Sequence, residues 1–184
     1  MPDQIQTNEP VSTSQQWPNQ IYELIKEHQI SVVSYVPDAG HLKLIELCQL
    51  DPQIKTVSLT TEEEGVALAA GAYLGGMKAV LLMQSSGVGN CVNMFSLLKT
   101  CMFPFLCFIT MRGEWGEFNP WQLPMGQSTP AVLEACDVIV LRVSDAAKVR
   151  DTIEAASKMA FNTCSSVAVL LSQELLGAKS FGKK

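Results

Sequence analysis

The chain has 184 residues, a net charge of −5 and only 13 Lys+Arg, a balance that excludes nucleic-acid binding through basic patches. Hydrophobic residues make up 47% and charged ones 17%, enough for one domain with a sizeable core and apolar enough to suggest extensive subunit contact. No apolar run reaches the ~18–20 residues of a membrane span, and the six cysteines, lacking CxxC or zinc spacing, read as buried thiols in a reducing cytoplasm.

Residues 1–17 are polar and contain no signal-peptide core, so they read as a disordered leader. Residues 18–172 read as one domain and 173–184 as a tail. Within the domain, short β-rich runs alternate with helical stretches, the pattern of an α/β fold with a parallel sheet. Strands are expected at Ile30–Val36, Ile54–Leu59, Lys78–Met83, Phe105–Met111, Val138–Val143 and Val167–Leu171. Helices are expected near Asn19–His28, His41–Gln49, Glu62–Leu74, Asn90–Thr100, Pro130–Ala135 and Asp145–Phe161. Ala79-Val80-Leu81-Leu82-Met83 is apolar on both faces, as a strand covered by helices on both sides should be.

Ligands of such sheets bind where the strands end in carboxyl termini, and four polar loops leave the strands there. Pro37–His41 carries Asp38 and His41, which taken alone are a turn residue and a helix cap. Thr60–Gly76 begins with three glutamates and continues almost wholly in Ala, Gly and single large apolar residues. A threonine cap with a glutamate three residues later explains its head. Gly71 amid good helix formers suits the close approach of another backbone or a flat ligand. Gln84–Asn90 is a Gly-x-Gly turn without P-loop lysine or third glycine. Arg112–Ser128, seventeen residues without periodicity, holds Trp115, Phe118, Trp121 and Met125, a composition that buries something. Arg112 is suited to bidentate contact with an anion.

The order of residues in Glu63-x-Gly65, then Ala69-Ala70-x-x-Tyr73, resembles the glutamate-bearing helix of thiamine diphosphate-dependent enzymes, with Glu62 in place of a frequent His and Gly71-Ala72 in place of Asp-Gly. Gln84-x-Ser86-Gly87-x-Gly89-Asn90-x-Val92-Asn93 is similar to the phosphonopyruvate and sulfopyruvate decarboxylases, with Val88 where the wider family has Pro. Arg112-Gly113-Glu114 and Gln122-x-Pro124-Met125-Gly126-Gln127 resemble the corresponding loop of the sulfopyruvate decarboxylase α subunits. The resemblance covers roughly 17–171 and implies a three-layer thiamine diphosphate-binding fold, a six-stranded parallel sheet with helices on both faces. It implies Glu63 as the catalytic carboxyl meeting N1′ of the cofactor's aminopyrimidine, buried against its small-residue helix. Gly87, Val88, Gly89 and Asn90 would shape the cofactor pocket, and Arg112, Gln127, Asp38 and His41 would handle an anionic 2-oxo acid.

The Gly-Asp-Gly that holds diphosphate and Mg²⁺ in this family is missing from the sequence. The resemblance therefore implies half a site, completed by a β subunit, in a cytoplasmic carboxy-lyase acting on 3-sulfopyruvate. Phosphonopyruvate is the rival substrate. A non-catalytic scaffold of the same fold, or a flavodoxin-like ligand-binding domain whose Glu63 only caps a helix, are the readings from other classes.

Overall fold

The structure, a computed structural model, describes residues 16–177. Six strands form one sheet: β1 (Ile30–Tyr35), β2 (Lys55–Ser58), β3 (Lys78–Gln84), β4 (Phe105–Thr110), β5 (Ile139–Val143) and β6 (Ser166–Leu171). Every pairing is parallel and the order is β2-β1-β3-β4-β6-β5. The chain starts in the interior of the sheet, runs outward to β2, and returns past β1 to β3. The strand order thus reverses between β1 and β3, the crevice where open α/β sheets bind ligands.

Alternate residues of β3 supply the two halves of the core. Val80 and Leu82 join α1 (Trp17–Glu27), α2 (Leu42–Leu50) and α7 (Ala146–Thr163), while Ala79, Leu81 and Met83 join α3 (Glu63–Leu74), α4 (Ser85–Cys91), α5 (Ser96–Cys101) and α6 (Leu123–Ala135). In α7, Val149, Ile153, Ala156 and Ala160 recur at helical spacing and are buried. Asp145 caps that helix, accepting from the Ala147 N–H at 2.9 Å. α3 presses close to the sheet at Gly65, where a Cβ would come within 2.4 Å of Leu81.

Several expectations change. Gln84–Asn90 is not a loop: β3 passes directly into α4. The loop after β4 is shorter than read, because α6 begins at Leu123 with Pro124 in its first turn, and Pro130 lies inside it. Thr60 and Thr61 make no side-chain cap; instead the Glu64 carboxylate reaches back to the Thr60 N–H at 2.8 Å. Trp17, assigned to the leader, opens α1 and is buried, and residues 173–176, assigned to the tail, form the short helix α8 (Gln173–Leu176). Gly71 is exposed, and no other part of the described chain approaches it within 4 Å of a Cβ position, so the close neighbour its glycine suits would have to come from outside this chain. The rest of the leader and of the tail lies outside the described residues, among which no helix is long and apolar enough to cross a membrane.

Candidate active site

At the start of α3 each residue turns by about 100° from the last, so three consecutive glutamates face three ways. Glu64 bends back onto Thr60. Glu63 is half-buried and accepts no hydrogen bond among the described residues. Glu62 is the buried one, 8% exposed, and points across to α4. There its Oε2 accepts from the Asn90 side-chain amide at 2.8 Å. Its Oε1 lies over Gly87, where a Cβ would come within 2.5 Å of the carboxyl group. The expectation that Glu63 is the buried carboxylate of this helix is corrected: the helix phase gives that place to Glu62. Val88 and Cys91 are buried beneath, and burial together with the charges of Glu62 and Glu63 pushes the Cys91 thiol up to about 12. Gly89 faces α6, with a Cβ position 3.2 Å from the Met125 sulfur.

A second polar cluster sits at the tips of β1, β3 and β4. Asp38 accepts from the Thr110 hydroxyl at 2.5 Å and from the Gln84 amide at 2.9 Å. Burial works to raise its pKa, but the Thr110 bond, nearby His41, the Gly40 N–H and Gln84 outweigh it and leave the carboxyl below its ordinary range. His41 is fully buried and does not line the pocket beside this cluster: its Nε2 donates to the Phe108 carbonyl at 3.1 Å, and burial lowers its pKa and keeps the ring neutral. Its Nδ1 has no partner among the described residues. Asp38, Gln84, Thr110, Arg112 and Gln173 line a pocket of about 130 Å³.

Arg112 is not a cation waiting for an anion. Its Nε and Nη2 donate to the two oxygens of Glu117, each at 2.6 Å, and the two side chains are 10% and 1% exposed. Glu117 also accepts from the N–H groups of Gly113 and Asn119 and from the Gln173 amide. Its bond to Arg112 chiefly, with those donors, holds the Glu117 carboxyl down at about 2. Gln173 Oε1 accepts in turn from the N–H groups of Glu114 and Trp115. The segment between β4 and α6 is therefore a fastened strap. Its ends cross so closely that a Cβ on Gly126 would lie 1.9 Å from the Arg112 carbonyl oxygen. Gln127, on α6, is exposed and contributes to neither cluster.

Glu117 and Gln173 were missed in the sequence. The acidic residue five positions after Arg112 is a signal in hindsight, whereas nothing local marks Gln173.

No family model matches the chain. It is 35% identical over 151 residues to the sulfopyruvate decarboxylase subunit alpha of Methanocaldococcus jannaschii, covering 82% of this chain and 89% of that protein. The chain belongs to the sulfopyruvate decarboxylase α-subunit family. The sulfopyruvate decarboxylase of Methanosarcina acetivorans is 33% identical over 130 residues, which span 70% of this chain and 33% of that one. In that relative of the α-subunit family the matched region is thus one part of a longer polypeptide. A solved 2-oxoglutarate:ferredoxin oxidoreductase from Magnetococcus marinus superposes with a TM-score of 0.72 at 16% identity, over 87% of this chain and 29% of that chain. That likeness extends the α-subunit fold to a much larger enzyme.

Proposed function

We propose that this chain is the α subunit of a cytoplasmic thiamine diphosphate-dependent decarboxylase that converts 3-sulfopyruvate to sulfoacetaldehyde and CO₂ together with a β subunit. The observation that carries this reading is the Glu62 corner. A buried carboxyl group with one oxygen held by Asn90, the other unbonded among the described residues, and a glycine beneath it is the kind of group that would meet a nitrogen of a planar heterocycle. Glu62, Gly87 and Asn90 would hold the aminopyrimidine of thiamine diphosphate, and the bound cofactor supplies the electron sink for decarboxylation. Diphosphate and Mg²⁺ are assigned to the β subunit, because no Gly-Asp-Gly occurs in the 184 residues.

The chain's own residues then divide the remaining tasks. Asn90 fixes Oε2 of Glu62 and so presents Oε1, which would be free to exchange a proton with a nitrogen of the bound heterocycle. Gly87 leaves the carboxyl its room. The Asp38–Gln84–Thr110 cluster lines the pocket beside the β1/β3 crevice and would orient the 2-oxo acid. Arg112, already neutralised by Glu117, shapes that pocket more than it adds charge. Glu63, half-exposed and without a hydrogen-bond partner among the described residues, is left as a first-turn acid favourable to the helix dipole.

The test is reconstitution with the β subunit and measurement of decarboxylation and of cofactor C2-proton exchange. Glu62→Gln should keep assembly and stop both, and equal exchange rates in the two proteins would refute the assignment. The ratio of kcat/KM for sulfopyruvate to that for phosphonopyruvate decides the substrate.

A further inference from the structure

We propose that the strap between β4 and α6, residues 113–122, is the docking surface for the companion subunit that completes the site, with the indoles of Trp115 and Trp121 as its anchors. This rests on the reading of the chain as half of an active site.

Two tryptophans on this strap face solvent, Trp121 at 85% exposure and Trp115 at 51%. Water is a poor environment for an indole, and aromatic side chains displayed at this level concentrate in protein interfaces. The strap that displays them is held from both sides. Glu117 is tied to Arg112, Gly113, Asn119 and Gln173. Gln173 binds the backbone at Glu114 and Trp115, and Asn119 accepts from the Trp121 N–H at 3.1 Å. A short 3-10 turn at Pro120–Gln122 and the close crossing of Gly113 with Gln122 fix the far end. A segment with so many internal bonds spends little entropy on binding, which is what a preformed contact surface needs.

Position names the occupant. The strap leaves the carboxyl end of β4 directly after Arg112, which lines the pocket with Asp38 and Gln84. A subunit that closes over the strand ends to complete the site must therefore lie against it. In the single-chain Methanosarcina relative, two thirds of the polypeptide lies beyond the matched region, so a large companion part accompanies this domain there. A second copy of this chain has no such reason to sit at the site's rim.

The test uses the full chain and the purified companion subunit, with Kd read by calorimetry and self-association by light scattering. Trp121→Ala and Trp115→Ala should each raise Kd at least about tenfold, while Met102→Ala, 73% exposed at the amino end of β4, should shift it by less than about twofold. At saturating companion the tryptophan variants should turn over normally. Glu62→Gln should bind normally and turn over poorly, so a failed docking surface and a failed catalytic assignment give different results. Unchanged Kd in both tryptophan variants would overturn the proposal, as would an equal loss in Met102→Ala. So would tryptophan variants that only dissolve a homodimer.

Discussion

Glu62 and Glu117 are both buried carboxylates near the carboxyl end of one parallel sheet, yet their surroundings are opposite in kind. Glu117 takes donors from a guanidinium, two backbone N–H groups and a side-chain amide, so both oxygens are satisfied and its charge is matched. Glu62 takes one amide donor and meets no cation among the described residues. A buried carboxyl group left this short of partners is costly unless something else arrives to bind it. The first arrangement builds structure. The second leaves one carboxyl oxygen without a hydrogen bond among the described residues, the feature on which the proposed cofactor contact rests.

The largest effect that would break this comparison is at Glu62. Glu62→Gln keeps the shape and the Asn90 contact but cannot exchange a proton, so the reconstituted enzyme should lose about 10²–10⁴ in kcat with little change in melting temperature. Next comes Glu117→Gln, which leaves Arg112 buried without its counter-charge and should cost about 3 kcal/mol in denaturant unfolding. The pH dependence sharpens this. The Glu117 pKa falls from its ordinary 4.5 to about 2 on folding, so its contribution is fully present above about pH 4.5 and is lost as pH falls through 2. The stability gap between native protein and Glu117→Gln should narrow across that window, and a constant gap would count against the ion pair. Gly87→Ala places a methyl against the Glu62 carboxyl and should cost about 1–3 kcal/mol by overpacking, with cofactor affinity falling as the carboxyl is displaced. Glu63→Gln should be the smallest change, within about threefold in kcat and a few tenths of a kcal/mol in stability, the scale of one first-turn charge. A large loss there would reverse the assignment of the two glutamates.

Much of the fold was legible because parallel strands announce themselves as short β-rich runs: each of the six lay within about two residues of its expected place. What was not legible depended on rotation and on distant partners. Three glutamates in a row give no local sign of which one turns inward; only the phase of α3 against α4 decides. Gln84–Asn90 reads as a turn because of its glycines, but Gly87 is there to accommodate a side chain from another helix. Pro130 reads as a helix start, yet α6 continues through it from Leu123. In the turn before it, the Ser128 and Thr129 hydroxyls bond back to the carbonyls of Pro124 and Met125. The environment of Arg112 rests on Gln173, about sixty residues away, which no local pattern could foretell.

The cysteines add a practical consequence for labelling chemistry. Burial pushes the thiols of Cys48 and Cys91 up to about 12 and that of Cys107 well above its ordinary range, which leaves them almost without thiolate at neutral pH. Cys101 and Cys164 are exposed, against the expectation that all six cysteines are buried, and both precede strands, so they lie at the amino end of the sheet. An alkylating dye added to the folded protein should therefore mark the end opposite the glutamate corner, giving a handle for watching subunit assembly that leaves the chemistry untouched.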